Sequence, residues 1–264
     1  MMLTFYYNRG AVCAQKVRLA LEEKRIEWQG VEVDFTDRAF MEVYRRELNP
    51  NGVVPTLLVG TTPLIESNVI LQYLEETYPA VRLMPLDAIE RAQARVWMTQ
   101  IDLDIHTAIN ALSFAMVFRQ RFLAMEPARL EAVYAAIPDA EKRWRRRELV
   151  EKGLDSHLVG FAVARFMRLF ADLEAALSHH AYLIDGEYSM ADLALTPYFE
   201  RLMALGFGPV LAEYPALSHW WGLIVARENY RRTILDWGGA AMRAEMEPAA
   251  AVCWPRIEAL VRAA

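Results

Sequence analysis

All of the strand-like sequence in this chain lies before residue 66. Leu3 to Tyr7 is a short aromatic and β-branched run that predicts a strand. Gly10 breaks it. Ala11 to Lys24 carries Val17, Ala20 and Leu21 at i, i+3 and i+4, with Cys13 one turn earlier on the same stripe, and predicts a helix. Trp28 to Phe35 alternates as a second strand does. Arg38 to Leu48 reads as a second helix, stopped by the breaker cluster Asn49-Pro50-Asn51-Gly52. Val53 to Val59 is a third strand with Pro55 inside it. After the turn Thr61-Thr62-Pro63, a short return strand reaches Ile65. Glu66 to Tyr78 is a third helix, ended by Pro79. The order β-α-β-α-β-β-α, two βαβ-type steps and a hairpin, makes a small α/β sheet domain.

Pro79 to Pro85 reads as a linker, and beyond Leu86 the pattern becomes helical throughout. Helices are predicted over 87–124, 128–136, 139–152, 155–177 and 215–226. Another opens at Ser189, with Asp192 three residues on in a capping-box arrangement. The tail from Asn229 to Ala264, with Gly238-Gly239 and two prolines, receives no assignment. The expected organisation is an α/β domain over 1–80 and an all-α domain over 87–264.

Composition excludes several classes. Apolar residues make up 55 % and charged residues 24 % of the 264, a globular balance that disordered chains lack. Net charge is −5, so no global field favours a phosphate backbone, and no nucleic-acid partner is expected. The run Arg143, Arg145, Arg146, Arg147 reads as a solvated or salt-bridged helix face. Cys13 and Cys253 are too far apart in sequence for a disulfide framework or a CxxC site, and a reducing compartment fits. The first residues lack an apolar signal core, and no run of 18 apolar residues exists. A cytoplasmic protein without a membrane span is therefore expected. The histidines (106, 157, 179, 180 and 219) show no ligand spacing, so no metal is expected. No GxSxG, P-loop or GxGxxG appears.

Two segments point to a ligand. In Asn49 to Leu57, Pro55 removes a ladder donor from its strand, which places it at an edge or in a special turn. A cis Val54–Pro55 bond would turn the Val54 N–H and C=O toward an extended peptide ligand; an ordinary edge-strand proline is the alternative. In Ile65 to Ile70, Glu66 and Ser67 stand where a strand enters a helix. Amides there favour an anion, so a ligand carboxylate would take them and the Ser67 hydroxyl, and Glu66 would receive an ammonium. Simple N-capping by Ser67 is the alternative.

Taken together, Cys13 to Leu21, Asn49 to Leu57, and Glu66-Ser67-Asn68-Val69-Ile70 with Tyr73-Leu74-Glu75 resemble the thioredoxin-like domain of glutathione S-transferases. The helical half and Tyr188 to Leu193 also resemble that family, and the likeness runs to about residue 237. The resemblance implies a thioredoxin-like α/β domain followed by an all-α domain, with glutathione as co-substrate. It implies a cis Pro55, pairing of Val54 with the cysteinyl backbone of glutathione, and capture of its γ-glutamyl end by Glu66 and Ser67. It also implies a homodimer. Glu141 to Arg146 and Leu183-Ile184-Asp185-Gly186 resemble bacterial glutathione-dependent β-etherases, which carry Gly-Ala-x-Ser where this chain has Gly10-Ala11-Val12-Cys13.

Ala11 aligns where serine-type members carry Ser and omega-type members carry Cys. Three substitutes can stabilise the glutathione thiolate. Cys13 stands at the start of the first helix, where a thiolate is favoured, and matches the Cys of the family's reductive dehalogenases. Tyr7 ends the first strand, where other classes hold a catalytic tyrosine. Backbone amides, aided by Asn8 or Arg9, are the third. A buried, hydrophobe-like Cys13 and a packing Tyr7 are the plain structural alternatives. Trp97, Ile101, His106, Asn110, Phe114 and Phe118, at helical spacing, are candidates to line an aryl pocket, or else inter-helix core.

The expected function is attack of glutathione on a small, aromatic electrophile, with β-aryl ether cleavage as the candidate reaction. Two alternatives stand beside it: thiol–disulfide chemistry through Cys13, of the dehalogenase or deglutathionylation kind, and a non-catalytic glutathione-binding or stress-interaction protein. The tail after Trp237 is a candidate cap for the pocket.

Overall fold

The computed structural model describes residues 2–184 and 186–264, so Asp185 of the Leu183–Gly186 segment lies outside the described residues. The chain forms two compact units. The first comprises Met1–Thr99, Ala176–Phe199 and His219–Met242, the second Gln100–Ala175, Glu200–Ser218 and Arg243–Ala264. The expected break between residues 80 and 87 does not coincide with this division.

The first unit holds the sheet. Its elements are β1 (Leu3–Tyr7), α1 (Val12–Glu23), β2 (Gln29–Glu32), α2 (Arg38–Glu47), β3 (Thr56–Val59), β4 (Thr62–Ile65) and α3 (Ser67–Thr77). Strand order is β2-β1-β3-β4. β2 runs parallel to β1, while β3 is antiparallel to both β1 and β4. Only the first of the two expected βαβ-type steps is therefore a parallel crossover; the second returns antiparallel on the far side of β1. Strand alternation sends Leu3, Phe5 and Tyr7 to one buried face. Tyr6 takes the other face and meets Tyr44 of α2, ring centroids 5.8 Å apart.

The predicted linker is pinned. Lys24, buried at the end of α1, donates to the Tyr78 and Val81 carbonyls and pairs with Glu75 at 2.6 Å. Glu75 accepts from the Leu83 and Met84 amides, and the Leu83 carbonyl accepts from Met190 N. The Ser189–Asp192 cap forms. Fully buried Asp192 accepts from the amide and hydroxyl of Ser189, and also from Leu183 N and Trp220 Nε1. These bonds explain why residues 176–199 and 219–242 belong with the sheet. Burial pushes the Asp192 carboxyl up, against those four donors.

The second unit is helical. The helical run after residue 87 widens into π turns at Ile101–Ile105 and Phe114–Phe118. Arg165 joins Gln100 and Asp104, and Glu174 accepts the Ala216 and Leu217 amides that open the helix Pro215–Val225. The tail, unassigned from sequence, becomes a π segment at Arg231–Gly239 and a helix at Ala240–Ala263 that accommodates Pro248 and Pro255. Ala88–Leu123 is long and apolar enough by composition to cross a membrane, but half of its most apolar stretch is buried, and a core helix meets the same test.

Candidate functional site

Strand register brings the two ligand-binding candidates together. Thr56 pairs with Ile65 across β3 and β4, so Val54–Pro55 and Glu66–Ser67 flank the same end of the hairpin. Tyr6 pairs with Thr56 on the other side, so the turn after β1 adjoins them. The Val54–Pro55 bond is cis. Among the described residues, neither the N–H nor the C=O of Val54 has a hydrogen-bond partner. Asn49, almost fully buried, shapes the approach: its amide donates to the Val53 carbonyl at 2.8 Å and its oxygen accepts from Asn51 N. Tyr44 donates to the same carbonyl at 2.8 Å.

Glu66 is the helix N-cap but makes no capping bond, and its φ of 67° lies in the left-handed region. A non-glycine residue held there costs about 1–3 kcal/mol and clusters at functional sites. That backbone aims the start of α3 at the hairpin end. Ser67 is buried, and the first amides of α3 lack the preceding carbonyls that a helix interior supplies. The donors fit a carboxylate, the exposed Glu66 fits an ammonium, and Val54 fits an extended peptide between them.

The turn between β1 and α1 is held by its own side chains. Asn8 Oδ1 accepts from Gly10 N, Asn8 Nδ2 donates to the Val33 carbonyl, and Gln15 donates to the Arg9 carbonyl. Asn8 thus positions the turn. Ala11 is the N-cap of α1 and offers no side-chain bond. Cys13 Sγ lies 3.6 Å from the hydroxyl of Tyr198, a fully buried residue on the helix Met190–Ala204. Tyr7 belongs to the buried face of β1, its ring packed with Phe5, Trp28 and Trp237. Burial, then Glu32, pushes its phenol up. A donor to a thiolate benefits from the opposite shift.

Trp97 falls in the first unit; Ile101, His106, Asn110, Phe114 and Phe118 fall in the second. Ile101 is fully buried. His106 and Asn110 hydrogen-bond one turn apart at 2.9 Å. Phe114 packs with Phe118 and Phe122, and the Arg146 guanidinium sits 3.6 Å from its centroid. Burial lowers the Arg146 pKa to about 10.

Several residues escaped sequence reasoning. Lys16 is fully buried, bonds Asn68 Oδ1 at 2.7 Å, and lies 5.9 Å from the Tyr198 ring. Asn68 in turn donates to the Met98 carbonyl. The signal was present: a lysine three residues after Cys13, on the buried side of α1. Met242, from the tail, rests on Gly10, where an added Cβ would run into its terminal methyl. The tail thus reaches the β1–α1 turn.

The profile for the N-terminal domain of glutathione S-transferases matches residues 12–77, and that for the C-terminal domain matches residues 161–228. A probable maleylacetoacetate isomerase from Vibrio cholerae is 30 % identical over 224 residues, 83 % of this chain and 88 % of that protein. The chain belongs to the glutathione S-transferase family. Family membership assigns it glutathione as co-substrate, and its α/β-plus-helical architecture is that of the family. Protein LigF of Sphingobium sp. strain SYK-6 is 29 % identical over 240 residues, 86 % of this chain and 91 % of that protein. The crystal structure of beta-etherase LigF superposes with a TM-score of 0.78, covering 89 % of this chain and all of the other at 26 % identity. A tetrachloro-p-hydroquinone reductive dehalogenase of Sphingobium chlorophenolicum is 26 % identical over 255 residues, 90 % of this chain and 98 % of that protein.

Proposed function

We propose that this glutathione S-transferase family member cleaves β-aryl ethers, or a closely similar activated aryl electrophile. The observation that carries this reading is the likeness to LigF across nearly the whole of both chains, in sequence and in fold. Glutathione supplies a sulfur nucleophile that attacks carbon and displaces an aryloxide. This chain's residues bind and orient it. Val54 N–H and C=O hold its peptide backbone. Ser67 and the first amides of α3 hold the γ-glutamyl carboxylate, and Glu66 holds the ammonium. With Ala11 in place of a hydroxyl, thiolate stabilisation falls to the amides that open α1, Val12 foremost, on a turn held by Asn8 and Gln15. Ile101, His106, Asn110, Phe114 and Phe118 of the second unit are proposed to line the aryl pocket, in a homodimeric cytoplasmic enzyme.

The dehalogenase likeness favours a second reading, in which Cys13 forms a mixed disulfide with glutathione during reductive turnover. The placement of Sγ beside the interior Tyr198 hydroxyl favours the first. Mass spectrometry of a reaction with glutathione and a β-aryl ether ketone, with a chloronitrobenzene alongside, tests both. A glutathione thioether plus released phenol, retained in Cys13→Ser, is the expected result. An adduct with the chloroarene alone would mean a general transferase. Loss of turnover in Cys13→Ser, with a mixed disulfide on the parent enzyme, would establish the second reading. Bound glutathione with no turnover on any substrate would leave a binding protein.

A further inference from the structure

The arginines of the basic run do not share one role. They stand on the helix Ala140–Lys152 of the second unit. Arg145 pairs with Glu141 and Arg147 with Glu131, the salt-bridged face expected from the sequence. Arg143 donates to the Ile137 carbonyl at 2.9 Å. Arg146 differs from all three. Among the described residues it has no hydrogen-bond or ion-pair partner, and no carboxylate acts on its charge.

Its surroundings are aromatic instead. Phe114, Phe118 and Phe122 recur every four residues where the helix widens into a π turn. The rings of Phe118 and Phe122 both meet that of Phe114, with centroids 5.5 and 5.4 Å away. The Arg146 guanidinium carbon lies 3.6 Å from the Phe114 centroid and 5.5 Å from that of Phe122. At 3.6 Å only an approach over the face of the Phe114 ring avoids its edge atoms. A guanidinium held in this way has one face covered, while its N–H donors point outward in its own plane.

Arg146 is half-buried, so a ligand can reach it. Burial lowers its pKa to about 10, which leaves it charged at neutral pH. Stacking on a ring recovers only part of the hydration that a cation gives up. A carboxylate that accepts two parallel bonds from the open fork restores more. The neighbouring groups do not supply that anion. Arg121 and Arg201 face Phe118, at 5.6 and 5.9 Å from its centroid, and add to the positive field. Glu245 is paired with Arg121, and Glu200 with Arg243. Tyr134 acts on Arg146 only as a neutral phenol, since burial pushes its pKa up.

We propose that Arg146 selects the electrophile, which is an aryl compound carrying a carboxylate. Its ring packs beside Phe114 and Phe118, and its acid group accepts from the Arg146 fork. The inference deepens the proposed function and rests on its placement of Phe114 and Phe118 in the aryl pocket.

The test uses the full chain with acid and amide versions of three aryl compounds. The first is a β-aryl ether ketone with a carboxylate or a carboxamide on its phenoxy ring. The second is 4-chloro-3-nitrobenzoate against its amide, which requires attack by glutathione but no ether cleavage. Both are read as kcat/KM. The third is 4-phenoxybenzoate against its amide, read as affinity by calorimetry with S-methylglutathione bound, so that no reaction intervenes. The acid is expected to bind about tenfold more tightly than the amide. Arg146→Met is expected to lower the acid-over-amide ratio about tenfold, in affinity and in kcat/KM, and Arg146→Lys to restore part of it. Each ratio is internal to one variant, so a general loosening of the helices does not mimic the effect. Equal affinities, no binding of the acid, or a ratio that Arg146→Met leaves unchanged would overturn the proposal. Ether cleavage without acid preference would overturn it and leave the etherase reading standing. Acid preference that depends on Arg146, with no ether cleaved, would uphold it and overturn the etherase reading.

Discussion

The two sides of the sheet offer a ligand different things. The β3–β4 end presents main-chain groups: Val54 N–H and C=O, and the amides that open α3, aimed by the positive φ of Glu66. The β2 side presents side chains: three aromatic rings, one of them brought from residue 237. A main-chain site is built from punctuation and survives changes in the side chains around it. A side-chain site depends on packing between distant segments, and fails when that packing fails.

Four substitutions sharpen or break this contrast. Gly239→Ala has the largest expected effect, because the new Cβ would lie 2.5 Å from the Ile234 carbonyl oxygen, which is backbone and cannot swing away. A loss of about 3 kcal/mol is expected by chemical denaturation. Glutathione affinity should stay within twofold, whereas a large drop would tie the two sides together. Asn49→Ala should cost about 2 kcal/mol through its lost bonds to Val53 and Asn51. It should weaken glutathione and leave the Trp28 and Trp237 indole signals in place.

Ser67→Ala is expected to raise the glutathione Kd about tenfold, or ~1.4 kcal/mol, with thermal stability unchanged. A fall in Tm with unaltered affinity would make Ser67 a structural residue instead. Gly10→Ala is the smallest. Its clash is with the flexible tip of Met242, so stability should change by under about 0.5 kcal/mol. Turnover is the sharper readout, since the substitution displaces the tip of Met242 from the β1–α1 turn. Full turnover in Gly10→Ala would show that Met242 has no part in the site.

The α/β-then-helical division was legible because it rests on local signals. Gly10, the Asn49–Gly52 cluster and Pro79 end elements by backbone chemistry, and the stripe on α1 has a period that one element reveals. Val54, Pro55, Glu66 and Ser67 were legible for the same reason. Their positions are written in turn and helix-start residues close in sequence, and the β3–β4 register then sets them side by side. The reading went astray where direction or partnership is decided at long range. Nothing local to Val53–Val59 says whether β3 runs with β1 or against it. Nothing local to Pro79–Pro85 reveals that Lys24 and Glu75 will pin it.

The same division runs through the site residues. Sequence periodicity placed Cys13 on the α1 stripe, and Tyr7 read as the end of the first strand, but the sequence could not say what either would meet. Tertiary packing gave Cys13 the hydroxyl of Tyr198 and gave Tyr7 the rings of Trp28 and Trp237. It also buried Arg18 beneath a tryptophan more than two hundred residues away in the chain. Turns, caps and amphipathic stripes follow from interactions within a few residues. A buried cation's surroundings follow from which distant segment happens to cover it, and only the folded chain decides that.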